Sequence, residues 1–284
     1  MRAFAKANIS LNITGAAGGL HTLDSVMMSL DRFDTLTVTE RADDKINVVF
    51  ANAEIGEQNT AATAARKMCE LVGRRGMDVF IEKGIPVGAG LGGSSADGAA
   101  VIRAFDVLYG LPHTADVRKA ALSVGSDVPF MLTGGLARVR GVGEDMFFME
   151  NKLKIFAVGL MSGSVSTREA YGKFDEMYRD KQFCPTDTEK LCELLLSGDP
   201  AALGLSGNAL YKPVSMLEPS VVHNAELLRE CGATVNMTGS GGMVLGYFTD
   251  IDKFAACAAR LRGKNGFAVF APAKVGVMYE WIER

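Results

Sequence analysis

The stretch P-V-G-A-G-L-G-G-S-S-A-D, residues 86–97, decides how this chain is read. Four glycines, Gly88, Gly90, Gly92 and Gly93, run straight into Ser94 and Ser95. Before them, residues 77–81 have the composition of a short strand; after them, residues 94–109 read as a helix ended by Gly110 and Pro112. Glycines between a strand and a helix start remove side chains where backbone N–H groups would crowd an anion. The helix N-terminus adds free donors and a favourable dipole. The spacing is not that of the G-x-x-x-x-G-K-[ST] loop, because no lysine follows the last glycine. Nor does it fit a G-x-G-x-x-G dinucleotide fingerprint with an acidic residue closing the next strand. A phosphate loop of another kind is left, against the plainer alternative of a glycine turn with a serine helix cap.

Outward from this loop the chain has no internal repeat. Residues 1–50 are β-rich, with strands expected at 2–13, 35–39 and 46–50. Residues 59–74 switch to helical period: Ala61, Ala64, Ala65, Met68, Leu71 and Val72 mark one face, and Asn59 or Thr60 caps it. A short helix is expected at 114–123, then strands at 136–140 and 155–160. Residues 174–187 break the apolar pattern, and a change of lobe is placed near residue 160, giving lobes 1–160 and 161–284. The second lobe reads as helices 186–196, 221–231 and 251–261 with strands 235–237, 243–248 and 267–270. This order suits an α+β sandwich with helices on one sheet face. Met27, Met28, Phe147 and Phe148 read as core, and Arg66, Lys67, Arg74 and Arg75 as a solvated helix face.

Composition narrows the classes of function. Of 284 residues, 48% are hydrophobic and 22% charged, which is ordinary for a globular protein. The 32 glycines are in excess but follow no three-residue period, and with only 8 prolines collagen-like and disordered readings fall away. A net charge of −3 gives no footprint for nucleic acid or an anionic membrane surface. No apolar run approaches the ~20 residues of a membrane span. Lys6, Asn8 and Asn12 interrupt the apolar start, so no signal peptide is expected. Five cysteines without a C-x-x-C pair suit scattered reduced thiols in a cytoplasmic protein, and three histidines make no metal site unaided.

P-x-x-x-G-L-G-G-S-S-A resembles the phosphate loop of the GHMP kinases, and three further segments resemble that family in order and spacing. These are A-K-A-N-I-S-L-N from Ala5, G-S-D-V-P-F from Gly125, and M-T-G-S-G-G from Met237. Within the family the chain is most similar to the diphosphocytidyl-methylerythritol kinases. G-G-L-H-T-L-D-S-V-M from Gly18, S-V-S-T-R-E-A-Y from Ser164 and N-A-L-Y-K-P-V from Asn208 resemble their segments. Leu20 stands where that family has a tyrosine that stacks on cytosine. Its G-G-G-S-S-D is here G-G-S-S-A-D with Asp97 in place, and Ala209, Tyr211 and Lys212 also depart from its pattern.

The resemblance implies a two-lobed GHMP kinase fold, an N-terminal lobe like ribosomal protein S5 domain 2 and a ferredoxin-like C-terminal lobe. It implies ATP with Mg²⁺, held at Pro86, Gly88, Ala89, Gly90, Leu91, Gly92, Gly93, Ser94 and Ser95, with no protein metal ligands assigned. It makes Lys6 and Asp127 catalytic, Asp127 toward the attacking hydroxyl and Lys6 beside it. It places Asn8, His21, Thr167, Tyr171, Gly239, Ser240 and Gly241 on the substrate side. The substrate is then a nucleoside-diphosphate-linked polyol, with neither nucleic acid nor membrane as partner, and the protein a cytoplasmic monomer or homodimer. From the residues alone, Lys6 also reads as a solvated lysine, Asp127 as a helix cap before Val128-Pro129, and His21 as a loop histidine. Tyr171 also reads as a helix-face aromatic one turn before Phe174. A GHMP kinase for mevalonate, homoserine or a sugar, a non-catalytic nucleotide sensor and a dehydrogenase stay open beside the main reading.

Overall fold

The computed structural model describes residues 1–73, 76–111 and 115–280. The expectations for Arg74, Arg75, Pro112 and Thr114 lie outside the described residues.

Strands β1 (Arg2–Ala17) and β2 (Leu20–Arg41) form one long antiparallel hairpin. Its turn is Gly18-Gly19, with φ of 57° and 81°. A two-residue hairpin turn with both φ positive is where glycine carries no steric cost. β2 is long enough to serve two partners on its other side. Residues 35–41 pair with β4 (Gly76–Glu82), and β3 (Ile46–Phe50) lies parallel outside β4. Residues 23–28 pair with β5 (Leu136–Gly141), and β6 (Asp145–Met149) lies outside β5. The free side of β1 takes two short strands from the distant C-terminal half, β8 (Gly207–Asn208) and β12 (Val277–Met278).

Four helices cover this sheet: α1 (Thr60–Val72), α2 (Gly93–Tyr109), α3 (Ala115–Val124) and α4 (Val128–Thr133). α2 packs on β1 and β2, with α1 and α4 beside it. Its small residues Ala96, Gly98, Ala99 and Ala100 let it approach closely; a Cβ on Gly98 would sit 2.9 Å from Thr60 Cγ2. In α1 the Asn59 side chain accepts from the Ala62 N–H, and left-handed Gly73 ends the helix.

The second sheet holds β7 (Phe156–Met161), β9 (Thr234–Met237), β10 (Met243–Phe248) and β11 (Ala268–Phe270), all antiparallel in the order β11-β7-β10-β9. Between β7 and β9 come α5 (Thr167–Met177), α6 (Thr188–Ser197), a 3₁₀ turn at Pro200–Leu205, α7 (Tyr211–Leu217) and α8 (Ser220–Glu230); α9 (Ile251–Leu261) links β10 to β11. This is the split β-α-β-β-α-β connectivity of ferredoxin-like sheets. Period two explains why β10 reads as six apolar or small residues in a row. Val244 and Phe248 pack with Val158, Leu160, Leu228 and Leu261 under α8 and α9. Met243, Leu245 and Tyr247 turn the other way, into the core of the N-terminal sheet. Helices do lie on one face, as expected; the other face is not open but packed on the first lobe.

The structure differs from the sequence reading in several places. Phe147 and Phe148 are not core: they are 59% and 40% exposed on β6, an edge strand. Leu71 is 43% exposed, and Cys69 takes its place on the buried face of α1. The strand expected at 35–39 is one end of the 22-residue β2. The break placed at 174–187 begins inside α5, where Phe174 is fully buried, and α7 was not anticipated as a helix. Among the described residues no helix is long and apolar enough to cross a membrane.

Candidate active site

β1 brings polar side chains into the interior. Lys6, Asn8, Ser10 and Asn12 are all buried, and each has partners, as buried polar groups require. Lys6 Nζ donates to Asn8 Oδ1 at 2.6 Å and pairs with Asp127 Oδ2 at 3.2 Å. Asn8 Oδ1 also accepts the Gly239 N–H at 3.1 Å, and its Nδ2 donates to Ser25 Oγ at 2.8 Å. The lysine is 3% exposed, which removes its reading as a solvated side chain.

Asp127 sits at the N-cap position of α4, yet its side chain makes no capping hydrogen bond. Its oxygens are therefore turned to Lys6 and the cavity, with the side chain 24% exposed. At the start of α2 the N-cap is Gly92, left-handed at φ 72°, with no side chain to take the first N–H groups. Any side chain at Gly92 would collide with Met131, whose Cε would be 2.3 Å from a Cβ, and with the stem of Lys6. The serine-cap alternative is thereby removed: Ser94 and Ser95 lie within the helix, and its N-terminal donors face the cavity uncapped.

The third glycine segment closes over the first. The Met243 N–H donates to Ala89 O at 3.1 Å, and Thr238 Oγ1 donates to Gly90 O at 3.4 Å. Asn208 Nδ2 donates to Met237 O at 2.7 Å and Gly239 O at 2.9 Å, which fixes the loop from below. Thr167, at the start of α5, shares a hydroxyl–hydroxyl hydrogen bond of 2.8 Å with Ser240. A capping box between Ser166 and Glu169 sets that helix start.

These segments wall one cavity of about 500 Å³. Lys6, Asn8, Asp127, Pro86, all of residues 88–95, Thr167, Tyr171, Gly239, Ser240 and Gly241 lie on its wall. Burial, and then the charge of Asp127, push the Tyr171 hydroxyl well above the usual phenol range, so it stays neutral. His21 is the exception among the expected site residues. It is not on the cavity wall; it stacks on Tyr171 at 4.8 Å between centroids and meets Asp175 Oδ1 through Nε2 at 2.8 Å. Leu20 is 60% exposed at the hairpin tip.

Lys83 was missed from the sequence. It follows β4 directly and lies on the wall with its ammonium between Asp34 and Asp97, 2.7 Å from Asp97 Oδ2. The signal was present: a lysine at the end of an apolar strand, immediately before the glycine loop. No group of three or more His, Cys, Asp or Glu side chains that could hold a metal ion occurs among the described residues.

Residues 59–135 match the GHMP kinases N terminal domain. The chain is 36% identical to a 4-diphosphocytidyl-2-C-methyl-D-erythritol kinase of Desulfitobacterium hafniense (strain Y51), over 93% of this chain and 92% of that protein. It is 29% identical to the Clostridium tetani (strain Massachusetts / E88) protein of the same name, over 93% and 96%. A crystal structure of 4-(cytidine 5'-diphospho)-2C-methyl-D-erythritol kinase superposes with a TM-score of 0.77 at 29% identity, covering 96% of this chain and 98% of that one. Homoserine kinase from Cytophaga hutchinsonii shares the fold, with a TM-score of 0.71 at 17% identity over 97% and 95%.

Proposed function

Because the chain belongs to the 4-diphosphocytidyl-2-C-methyl-D-erythritol kinase family of GHMP kinases, we propose that its cavity transfers the terminal phosphoryl group of ATP to a hydroxyl of that diphosphocytidyl polyol. The reaction is a step of non-mevalonate isoprenoid biosynthesis. The observation that carries the reading is the Lys6–Asp127 pair, 3.2 Å apart, on the same cavity wall as the uncapped N-terminus of α2.

Phosphoryl transfer asks the protein for positioning and charge stabilisation rather than covalent chemistry. The N–H groups of residues 88–95 hold the β- and γ-phosphates at the start of α2. Asp127 accepts a hydrogen bond from the attacking hydroxyl and receives its proton as the new P–O bond forms. Lys6 offsets negative charge on the transferred group while keeping Asp127 in place through Asn8. Asn8, Thr167, Gly239, Ser240 and Gly241 line the acceptor side, and Tyr171 offers a stacking face to the pyrimidine. With Leu20 in solvent and His21 held by Asp175, the base meets a single aromatic wall here.

Mg²⁺ lowers the charge of the phosphates when it accompanies ATP. Of the side chains on the cavity wall, the Asp127 carboxylate would help to hold that ion beside the phosphates. We read the protein as a cytoplasmic enzyme, a monomer or homodimer of lobes 1–160 and 161–284, without nucleic-acid or membrane partners.

The test is ADP release by the purified protein with ATP and 4-diphosphocytidyl-2-C-methyl-D-erythritol, beside mevalonate, homoserine and galactose. Release with the diphosphocytidyl polyol alone is expected. Release with one of the other alcohols and none with this one overturns the substrate.

A further inference from the structure

Beneath the phosphate loop lies a charge cluster that the reaction as described leaves unused. Asp34, on β2, is fully buried and fully partnered: its Oδ1 accepts the N–H groups of Gly84 at 2.7 Å and Ile85 at 2.8 Å, and its Oδ2 meets Lys83. Lys83 Nζ also donates to Asp97 Oδ2 at 2.7 Å. Asp97 is 2% exposed, and its second oxygen, Oδ1, has no hydrogen-bond partner. Both Lys83 and Asp97 lie on the cavity wall. A Cβ on Gly93, the first residue of α2, would be 3.3 Å from Lys83 Nζ, so the cluster sits against the turn that receives phosphate.

Two carboxylates and one ammonium leave a net negative charge buried beside the place where a polyanion binds. An ionised Asp97 would repel a phosphate there and offer nothing to a ring nitrogen. A protonated Asp97 removes the excess charge and turns the orphan oxygen into a donor. Among the described residues the charges acting on Asp97 are those of Lys83 and Asp34. α1, α3 and α4 turn the apolar residues Ala61, Ala64, Met68, Val117, Ala121, Phe130 and Met131 inward, and Lys6 on β1 is taken up by Asn8 and Asp127.

We propose that Asp97 binds the nucleotide as a neutral acid, its Oδ1–H donating to a hydrogen-bond acceptor of ATP, so that nucleotide binding takes up a proton. The proposal rests on the reading of the cavity as an ATP site. Burial, opposed by Lys83 and reinforced by Asp34, lifts the Asp97 carboxyl to about 7, which leaves that proton exchangeable near neutrality.

Titration calorimetry of the whole protein with ADP at pH 7, in two buffers of different ionisation heat, reads the proton directly. Wild type should take up about half a proton more per ADP than Asp97→Asn, whose amide supplies a fixed N–H donor. Between pH 7 and 8.5 the ADP dissociation constant should rise roughly 15-fold in wild type and stay level in Asp97→Asn. Adenosine as a second probe locates the acceptor: an equal difference with adenosine puts it on the base or ribose, a difference with ADP alone on a phosphate. A wild-type dissociation constant that is flat over this range overturns the proposal without recourse to any variant. Equal proton uptake by the two proteins does so as well. No binding of ADP by either protein removes the ATP reading itself.

Discussion

An aspartate at a helix N-cap ordinarily spends its oxygens on the first free N–H groups. Asp127 does not, and the proline two residues on has no N–H to offer. The carboxylate is thus free for Lys6 and a substrate hydroxyl. Asp127→Asn keeps the shape and removes the proton acceptor; kcat should fall by about 10²–10³, with KM for ATP little changed and the circular dichroism spectrum intact. Asp97 gives a second prediction, of opposite flavour. Its carboxyl rises from 3.8 to about 7 on folding, mainly through burial. The folded chain therefore holds more protons than the unfolded one between these values. Stability falls as pH rises through that window and stays lowered above it. Asp97→Asn removes the penalty, so its melting temperature relative to wild type should climb from pH 5 to pH 8 in scanning calorimetry. A constant offset would show that Asp97 does not titrate in this range.

At the scale of elements, the site is two glycine loops seated backbone to backbone. A Cβ on Gly242, where φ is 95°, would lie 2.0 Å from Gly88 O. Gly242→Ala should force the loops apart, costing about 1–3 kcal/mol of stability in urea titrations and raising KM for ATP. Both loops were legible in the sequence because glycine spacing is local information; so were α1 and α9, through their helical period, and β10, as a short run of apolar or small residues. The edge strand β6 was not: Phe147 and Phe148 read as core, and only the place of β6 outside β5 exposes them. β2 was underestimated because its first half mixes His21, Asp24 and Ser25 among apolar residues, and these have partners only in the folded protein: Asp175, Arg138 and Asn8. Lys83 escaped for the same reason. Its place at the end of an apolar strand marked it as unusual, but its two aspartate partners, 49 and 14 residues away in sequence, are brought beside it only by the fold.

The two sheets share a core. β10 gives one face to α8 and α9 and the other to the N-terminal core. Asn236 Nδ2 donates to Ile9 O at 3.0 Å, and Asn208 holds Met237 O and Gly239 O. Asn208→Ala strands two buried carbonyls and should cost about 2–4 kcal/mol. Tyrosine fluorescence and far-ultraviolet circular dichroism should still report a single coincident transition, because the face of β10 that carries Met243, Leu245 and Tyr247 is covered by the first lobe. Separate transitions would mean the lobes are energetically independent. The pairing of β1 with β12 reaches further than energetics. Met278 lies opposite Arg2 and Val277 opposite Ala3, although almost all of the described chain separates the two strands in sequence. β1 is therefore made long before this partner. Until β12 docks, that stretch of β1 is an open strand edge that can pair with another chain.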